Sequence, residues 1–231
     1  MNLCLKCRRR LLTCVCAHLS PFETRTRFVL LMHPMEYKKE KVGTGRFSHL
    51  ILRNSRVLVD VSFDKNREFR ELLQDESFES YVLYPGDQTL DLSVARPGSL
   101  STKPKQLFVI DGTWACAKKM MRLTTRLHGL PRMSFHPGRT SEFSVKHQPL
   151  PGCLSTVESL HQVLLEFNRL GLEATQGKEQ NLMDVFRKTV ELQLELARDP
   201  ARNRYRPGTY KPPAERRISK KWQERLVFFR S

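Results

Sequence analysis

The sequence has few acidic residues and lacks a long apolar run. Its 231 residues include 24 Asp and Glu against 40 Lys and Arg, which gives a formal net charge of +16. No apolar segment approaches the roughly 20 residues that cross a bilayer, and the first residues are basic and cysteine-rich, unlike a signal peptide. We therefore expect a cytoplasmic protein without a membrane partner, whose excess of cations favours polyanions such as RNA or DNA.

Cysteine is also scarce, except at the N-terminus, where four of the six cysteines fall within thirteen residues: Cys4, Cys7, Cys14 and Cys16. Two close pairs of thiolates joined by a short basic loop suit a tetrahedral zinc ion, which would order a segment too short to have its own core. His18 could replace one thiolate, and a cluster of free thiols is the alternative. Cys116 and Cys153 are expected in the core, because reduced cysteine packs as a small apolar residue.

Short apolar segments alternate with helical patterns along the middle of the chain. The expected strands are residues 27–32, 56–61, 81–84, 107–110 and 132–135. Helical spacing of apolar residues is found in residues 45–54, 68–73, 114–120, 156–170 and 182–197. Such alternation predicts an α/β fold, with a mainly parallel sheet flanked by helices.

The most informative segment is the sequence Asp-Gly-Thr-Trp that directly follows the apolar run 107–110. Parallel sheets build ligand sites where strands end, so an acid, a glycine and a hydroxyl at this place indicate a binding or catalytic site. The alternative is that Asp111 or Thr113 only caps the next helix while Trp114 packs beneath it.

Two further segments are unusually polar or basic. Residues 136–153 form a polar stretch longer than most connections within a domain, which is typical of a functional loop. Residues 198–231 contain eleven basic and three acidic residues together with Tyr205, Tyr210 and Trp222, a mixture that suits RNA binding. A solvated end is the alternative. We divide the chain into a zinc-binding segment (1–24), a catalytic domain (25–197) and a basic tail (198–231).

Several short motifs occur together in a definite order: Leu31-Met-His33-Pro34-x-Glu36, Thr44-Gly45, Leu83-Tyr84-Pro85, Asp111-Gly-Thr-Trp114, Ser141-x-x-Ser144-x-Lys146-x-Gln148-Pro149 and Cys153-Leu-Ser-Thr156-x-Glu158. With the cysteine cluster, this set resembles the DTW-domain family, and in particular its bacterial tRNA-uridine aminocarboxypropyltransferases. The resemblance implies a SPOUT-like fold with a C-terminal trefoil knot. It also implies S-adenosylmethionine as cofactor and tRNA as partner. The reaction would pass the 3-amino-3-carboxypropyl group to N3 of a uridine and release methylthioadenosine.

This reaction needs an acceptor for the uracil N3 proton, within hydrogen-bond reach. Asp111 is the first candidate and Glu36 the second, although either carboxylate could instead hold the ammonium group of the cofactor. Trp114 could face the sulfonium or stack on uracil, or it could pack behind Asp111.

The resemblance also suggests which residues bind the two reactants. The expected cofactor-binding residues are Leu31, Thr113, Leu154, Ser155, Thr156 and Glu158. The expected substrate-binding residues are Ser141, Ser144, Lys146 and Gln148. Ser155 and Glu158 also have the spacing of a helix capping box.

Two other functions are compatible with the sequence: a methyltransferase with the same cofactor, and a zinc-stapled RNA-binding protein without catalysis. The sequence does not identify the modified uridine, the role of residues 91–104 or the oligomeric state, for which a monomer is favoured.

Overall fold

A computed structural model describes residues 3–39, 43–86, 88–144 and 152–198 of the chain. Its centre is a six-stranded sheet in the order β2-β1-β5-β3-β6-β4, in which every pair of neighbours is parallel. The strands are β1 (Arg27–Met32), β2 (Ser55–Val59), β3 (Glu79–Leu83), β4 (Thr89–Asp91), β5 (Lys105–Asp111) and β6 (Arg132–Ser134). The predicted parallel α/β fold is confirmed, and the five expected strands differ from the observed ones by at most two residues at either end.

Six α-helices accompany the strands in the described part of the chain. They are α1 (Pro34–Lys39), α2 (Thr44–Ile51), α3 (Arg67–Leu73), α4 (Trp114–Leu123), α5 (Thr156–Arg169) and α6 (Gln180–Arg198). Helix α1 was not among the predicted helices. Proline suits the first turn of a helix, where no backbone donor is needed, and Pro34 takes that role in α1.

Two apolar clusters cover the two faces of the sheet. Phe28, Leu30 and Val109 point towards α2, α5 and α6, whereas Leu31 and Phe108 point towards α3 and α4. The side chains alternate because successive residues of a strand face opposite sides. The first cluster is the larger, so α2, α5 and α6 pack firmly on that face of the sheet.

The cysteine-containing N-terminal segment packs directly on the α/β domain. Val15 and Phe22 are buried in the first apolar cluster. The Arg9 guanidinium donates to the Thr189 hydroxyl of α6 at 3.2 Å and lies 5.6 Å from the ring centre of Phe47 in α2. Residues 3–24 therefore share a core with the domain, which fixes their position relative to α2 and α6.

Helix α6 ends at Arg198, and the rest of the predicted basic tail lies outside the described residues. Within the described ranges, the helices are all too short or too polar to span a bilayer.

Candidate active site at the carboxyl edge of the sheet

Asp111 is the last residue of the central strand β5, and only 6% of its surface is exposed. It pairs in register with Met32 at the end of β1, and its carbonyl accepts the N–H of His33 at 2.9 Å. The ends of β1 and β5 therefore meet at the middle of the sheet edge. This is the place where parallel α/β folds bind their ligands.

Two helices hold the Asp111 carboxylate. The Thr156 hydroxyl, in the first turn of α5, donates to Asp111 Oδ1 at 2.6 Å. On the other side, the first turn of α2 approaches so closely that a Cβ atom added to Gly45 would lie 2.2 Å from Oδ2. The N-terminus of a helix carries a partial positive charge, so two such ends face the Asp111 side chain.

Glu158 is fully buried one turn into α5 and joins the polar loop before α5 to the beginning of that helix. Its Oε2 accepts the Ser155 N–H at 2.8 Å and the Ser155 hydroxyl at 2.5 Å, which completes the predicted capping box. The same carboxylate accepts the Ser141 hydroxyl at 2.8 Å and the Glu142 N–H at 2.7 Å. Both oxygens of Glu158 are therefore engaged by protein groups.

The loop is anchored further by charged side chains. Arg187 of α6 donates to both oxygens of Glu142, at 2.8 and 3.0 Å, and lowers the pKa of that carboxyl group. Arg139 Nη2 lies 3.3 Å from Nδ1 of His161, whose pKa is lowered by burial and by this guanidinium. A neutral imidazole at this place can accept the hydrogen bond.

The residues after Asp111 begin α4. The Thr113 hydroxyl accepts the N–H of Cys116 at 3.3 Å, so Thr113 caps the helix, as the capping alternative predicted. Trp114 is the first residue of α4 and is half-buried, and Glu36 is half-buried in the first turn of α1. Cys153 is buried as predicted, whereas Cys116 is only half-buried because it lies near the exposed start of α4.

The structure brings only some of the predicted binding residues to this edge. Thr156 contacts Asp111 directly, and Ser141 and Ser155 are linked to it through Glu158 and α5. Leu154, which precedes Ser155, and Ser144, which lies three residues after Ser141, are both half-buried. The Leu31 side chain is fully buried in the second apolar cluster, facing α3 and α4. Lys146 and Gln148 lie outside the described residues.

Arg46 is a residue of the site that the sequence analysis missed. It follows Gly45 in α2, and burial lowers its pKa, whereas Tyr37 and, to a smaller extent, the Asp111 carboxylate raise it. Its guanidinium donates to the Tyr37 carbonyl of α1. The adjacent Thr44-Gly45 motif was the one signal in the sequence for this position.

The four N-terminal cysteines form a compact cluster. All their sulfurs lie within 4.8 Å of one another, with Cys4 and Cys16 at 3.6 Å and Cys7 and Cys14 at 3.7 Å. Four sulfurs placed tetrahedrally about 2.3 Å from a zinc ion are about 3.8 Å apart. The cluster therefore has the donors and the dimensions of a tetrahedral metal site.

The electrostatic surroundings favour the thiolate at one of the four cysteines. Backbone N–H groups of Cys7 and Lys6 lower the pKa of the Cys4 thiol to about 6, so it ionises readily. Burial and the neighbouring thiol of Cys4 raise the pKa of Cys16. Arg9 places a cation beside the cluster. Burial lowers the pKa of Arg9, whereas the charge of Cys7 raises it.

Three curated relatives of the chain share the name "tRNA-uridine aminocarboxypropyltransferase 2". The Drosophila melanogaster protein is 30% identical over 168 residues, which cover 71% of this chain and 65% of the relative. The Macaca fascicularis and Mus musculus proteins are 23% and 24% identical, and the match covers 67% of this chain and 53% of each relative. The chain thus spans between half and two thirds of the length of these relatives.

The family comparison covers most of the chain. The model of the DTW domain matches residues 1–194, which include the cysteine cluster, the whole sheet and most of α6. No solved structure matches the chain. The matched region contains the buried Asp111, the residues Thr156 and Gly45 that contact its side chain, and the cysteine cluster. The chain therefore belongs to the DTW domain family.

Proposed function

We propose that the protein transfers the 3-amino-3-carboxypropyl group of S-adenosylmethionine to N3 of a uridine in tRNA and releases methylthioadenosine. The buried Asp111 carboxylate, held by Thr156 and the first turn of α2, is the observation that carries this proposal. The name of the relatives and the membership of the chain in the DTW domain family support it.

The reaction joins a uracil nitrogen to a carbon beside a sulfonium. S-adenosylmethionine supplies that electrophilic carbon and a neutral thioether as leaving group. Charges cancel as the new bond forms, so a pocket that excludes water favours the reaction. The ends of β1 and β5, closed by α2 and α5, form the protected edge at which this protein would hold the reactants.

Asp111 is the preferred acceptor of the uracil N3 proton, because its carboxylate is buried and fixed in direction by Thr156. Glu36 is the second candidate. If Glu36 takes the proton, Asp111 is suited to hold the ammonium group of the donor. Trp114 begins α4 two residues after Gly112, beside this edge, where its ring could cover the sulfonium or the uracil.

We assign donor contacts to Ser155, Thr156 and Leu154 at the start of α5 and to Thr113 at the start of α4. Leu31 would contribute only its main chain, because its side chain is buried. For Glu158 we propose a positioning role in place of direct contact, since its oxygens already hold Ser141 and Ser155. Ser141 and Ser144, with Lys146 and Gln148, are the proposed substrate-binding residues.

The tRNA would bind through the basic surface of the protein, to which the 198–231 tail contributes a net charge of +8 in the sequence. A cytoplasmic location and a monomeric state are part of the proposal. We also propose the SPOUT-like trefoil knot, which the return of the chain from β6 to the β5 edge at Thr156 supports. Residues 145–151 of this return lie outside the described part.

The proposed structural metal is zinc, held by Cys4, Cys7, Cys14 and Cys16. The separations between the sulfurs support it. The ion would tie together the segment that positions Arg9 against α2 and α6.

The function is tested with purified protein, an unmodified tRNA transcript and two samples of S-adenosylmethionine, one labelled in the carboxyl group and one in the methyl group. We expect the carboxyl label to enter the tRNA and the methyl label to stay out of it. Methyl label alone would identify a methyltransferase. Binding of tRNA without transfer of either label would indicate an RNA-binding protein without catalysis.

Gly45→Ala tests the packing of α2 on Asp111. The new Cβ would lie 2.2 Å from Oδ2 and displace the carboxylate, and a misplacement of about 1 Å can reduce turnover about 100-fold. Stability should also fall, because the displaced carboxylate weakens its hydrogen bond to Thr156, and the helix preference of alanine over glycine, about 1 kcal/mol, offsets only part of that loss. Turnover and thermal unfolding are measured together.

Gly129→Ala is the matched control for this variant, because nothing lies within 4 Å of its added Cβ. It should retain wild-type turnover. Full activity of Gly45→Ala would mean that the reaction does not depend on the position of Asp111.

Metal content tests the zinc proposal. We expect one zinc ion per chain by elemental analysis and a lower unfolding temperature after chelation, because metal binding contributes to folding. Cys16→Ser should lose the metal, whereas Cys116→Ser, which alters a half-buried cysteine on α4, should keep it. Equal zinc content in the two variants would refute the assignment of the ligands.

A further inference from the structure

Tyr37 of α1 is contacted by two arginines from different parts of the chain. Arg8, in the loop between the cysteine pairs, donates to the Tyr37 hydroxyl at 2.7 Å, and its guanidinium carbon lies 5.2 Å from the ring centre. Arg46 of α2 donates to the Tyr37 carbonyl, with its guanidinium carbon 4.9 Å from the ring centre. One aromatic residue thus orients two cations, which we call the arginine pair.

The arginine pair has no close carboxylate partner in the described parts of the chain. In the parts of the chain that the structure describes, neither Arg8 nor Arg46 has a carboxylate oxygen within 4.0 Å, and the Nε of Arg46 is buried without a hydrogen-bond partner. Burial lowers the pKa of Arg46 and the charge of Arg8 lowers it further, whereas Tyr37, Cys7 and Asp111 raise it. Two fixed like charges of this kind are stabilised by an anion, and guanidinium groups are well suited to phosphate.

The position of the pair relates it to the candidate active site. Arg46 follows Gly45, the residue whose backbone touches the Asp111 side chain. Arg8 lies on the exposed surface of the N-terminal segment. The pair therefore extends from the catalytic edge to the outer surface, as a contact with a chain of phosphates would require. A small donor molecule bound at the edge of the sheet would not require a second cation on the outer surface, where Arg8 lies.

We propose that Arg8, Tyr37 and Arg46 form a clamp for a phosphate of the RNA backbone beside the nucleotide that reacts at Asp111. This proposal rests on the proposed function for the identity of the RNA. The cysteine cluster then has a role in substrate recognition, because it fixes the loop that presents Arg8 to Tyr37.

The clamp is tested by the salt dependence of tRNA binding, measured with an unmodified transcript and without S-adenosylmethionine. Arg8 has a positive φ of 58°, which asparagine tolerates better than most residues, so Arg8→Asn removes the charge with little strain. We expect the slope of log K against log salt to become shallower by about 0.7–0.9, the effect of one phosphate contact. Arg8→Lys, which keeps the charge, should retain most of the slope.

Arg70→Ala is the matched control. It removes one exposed cation from α3, on the opposite face of the sheet, and should leave the slope unchanged. Zinc content of the Arg8 variants should equal that of the wild type, and their affinity for S-adenosylmethionine should not change. Arg46→Gln should weaken tRNA binding in the same way as Arg8→Asn.

Three results would overturn the clamp. They are an unchanged slope in Arg8→Asn, an equal loss in Arg70→Ala, and a loss of affinity for S-adenosylmethionine with normal tRNA binding, which would assign the pair to the donor carboxylate. Because the measurement involves no transfer, the clamp can fail while the labelling experiment succeeds. A protein that binds tRNA through the clamp and transfers neither label would instead refute only the proposed reaction.

Discussion

The hydrogen bond from Thr156 to Asp111 is the contact on which the arrangement of the site depends. It joins the end of the central strand β5 to the beginning of α5, two elements separated by 45 residues. Gly45 adds the first turn of α2 to the same carboxylate. A single buried acid therefore sets the relative positions of a strand and two helices, so the packing of the domain and the chemistry of the edge are linked.

The surrounding polar groups make this edge rigid. Glu158 is fully buried and bonded to Ser141, Glu142 and Ser155, and the Arg187–Glu142 ion pair fastens the same loop to α6. Buried polar groups that are fully bonded hold a single conformation. On the other side, the cysteine-rich segment reaches α2 through Arg9 and Phe47. The protein would thus meet its reactants with the site already formed.

The sequence predicted the strands and the place of Asp111 because buried parallel strands are continuous apolar runs, and a motif follows the central one. It missed α1, because Pro34 both ends a strand and begins a helix, and β4, because three half-buried residues leave no apolar pattern. Arg46 was missed for another reason. It contacts Tyr37 and feels the charge of the distant Arg8, and no local sequence pattern reveals either interaction.

The most direct test of this account is a crystal structure of the protein with S-adenosylmethionine bound. We expect the aminocarboxypropyl group of the donor at the carboxyl ends of β1 and β5, within contact distance of Asp111 and the first turn of α5. A donor bound at another edge of the sheet, with Asp111 and Thr156 still joined only to each other, would contradict the account.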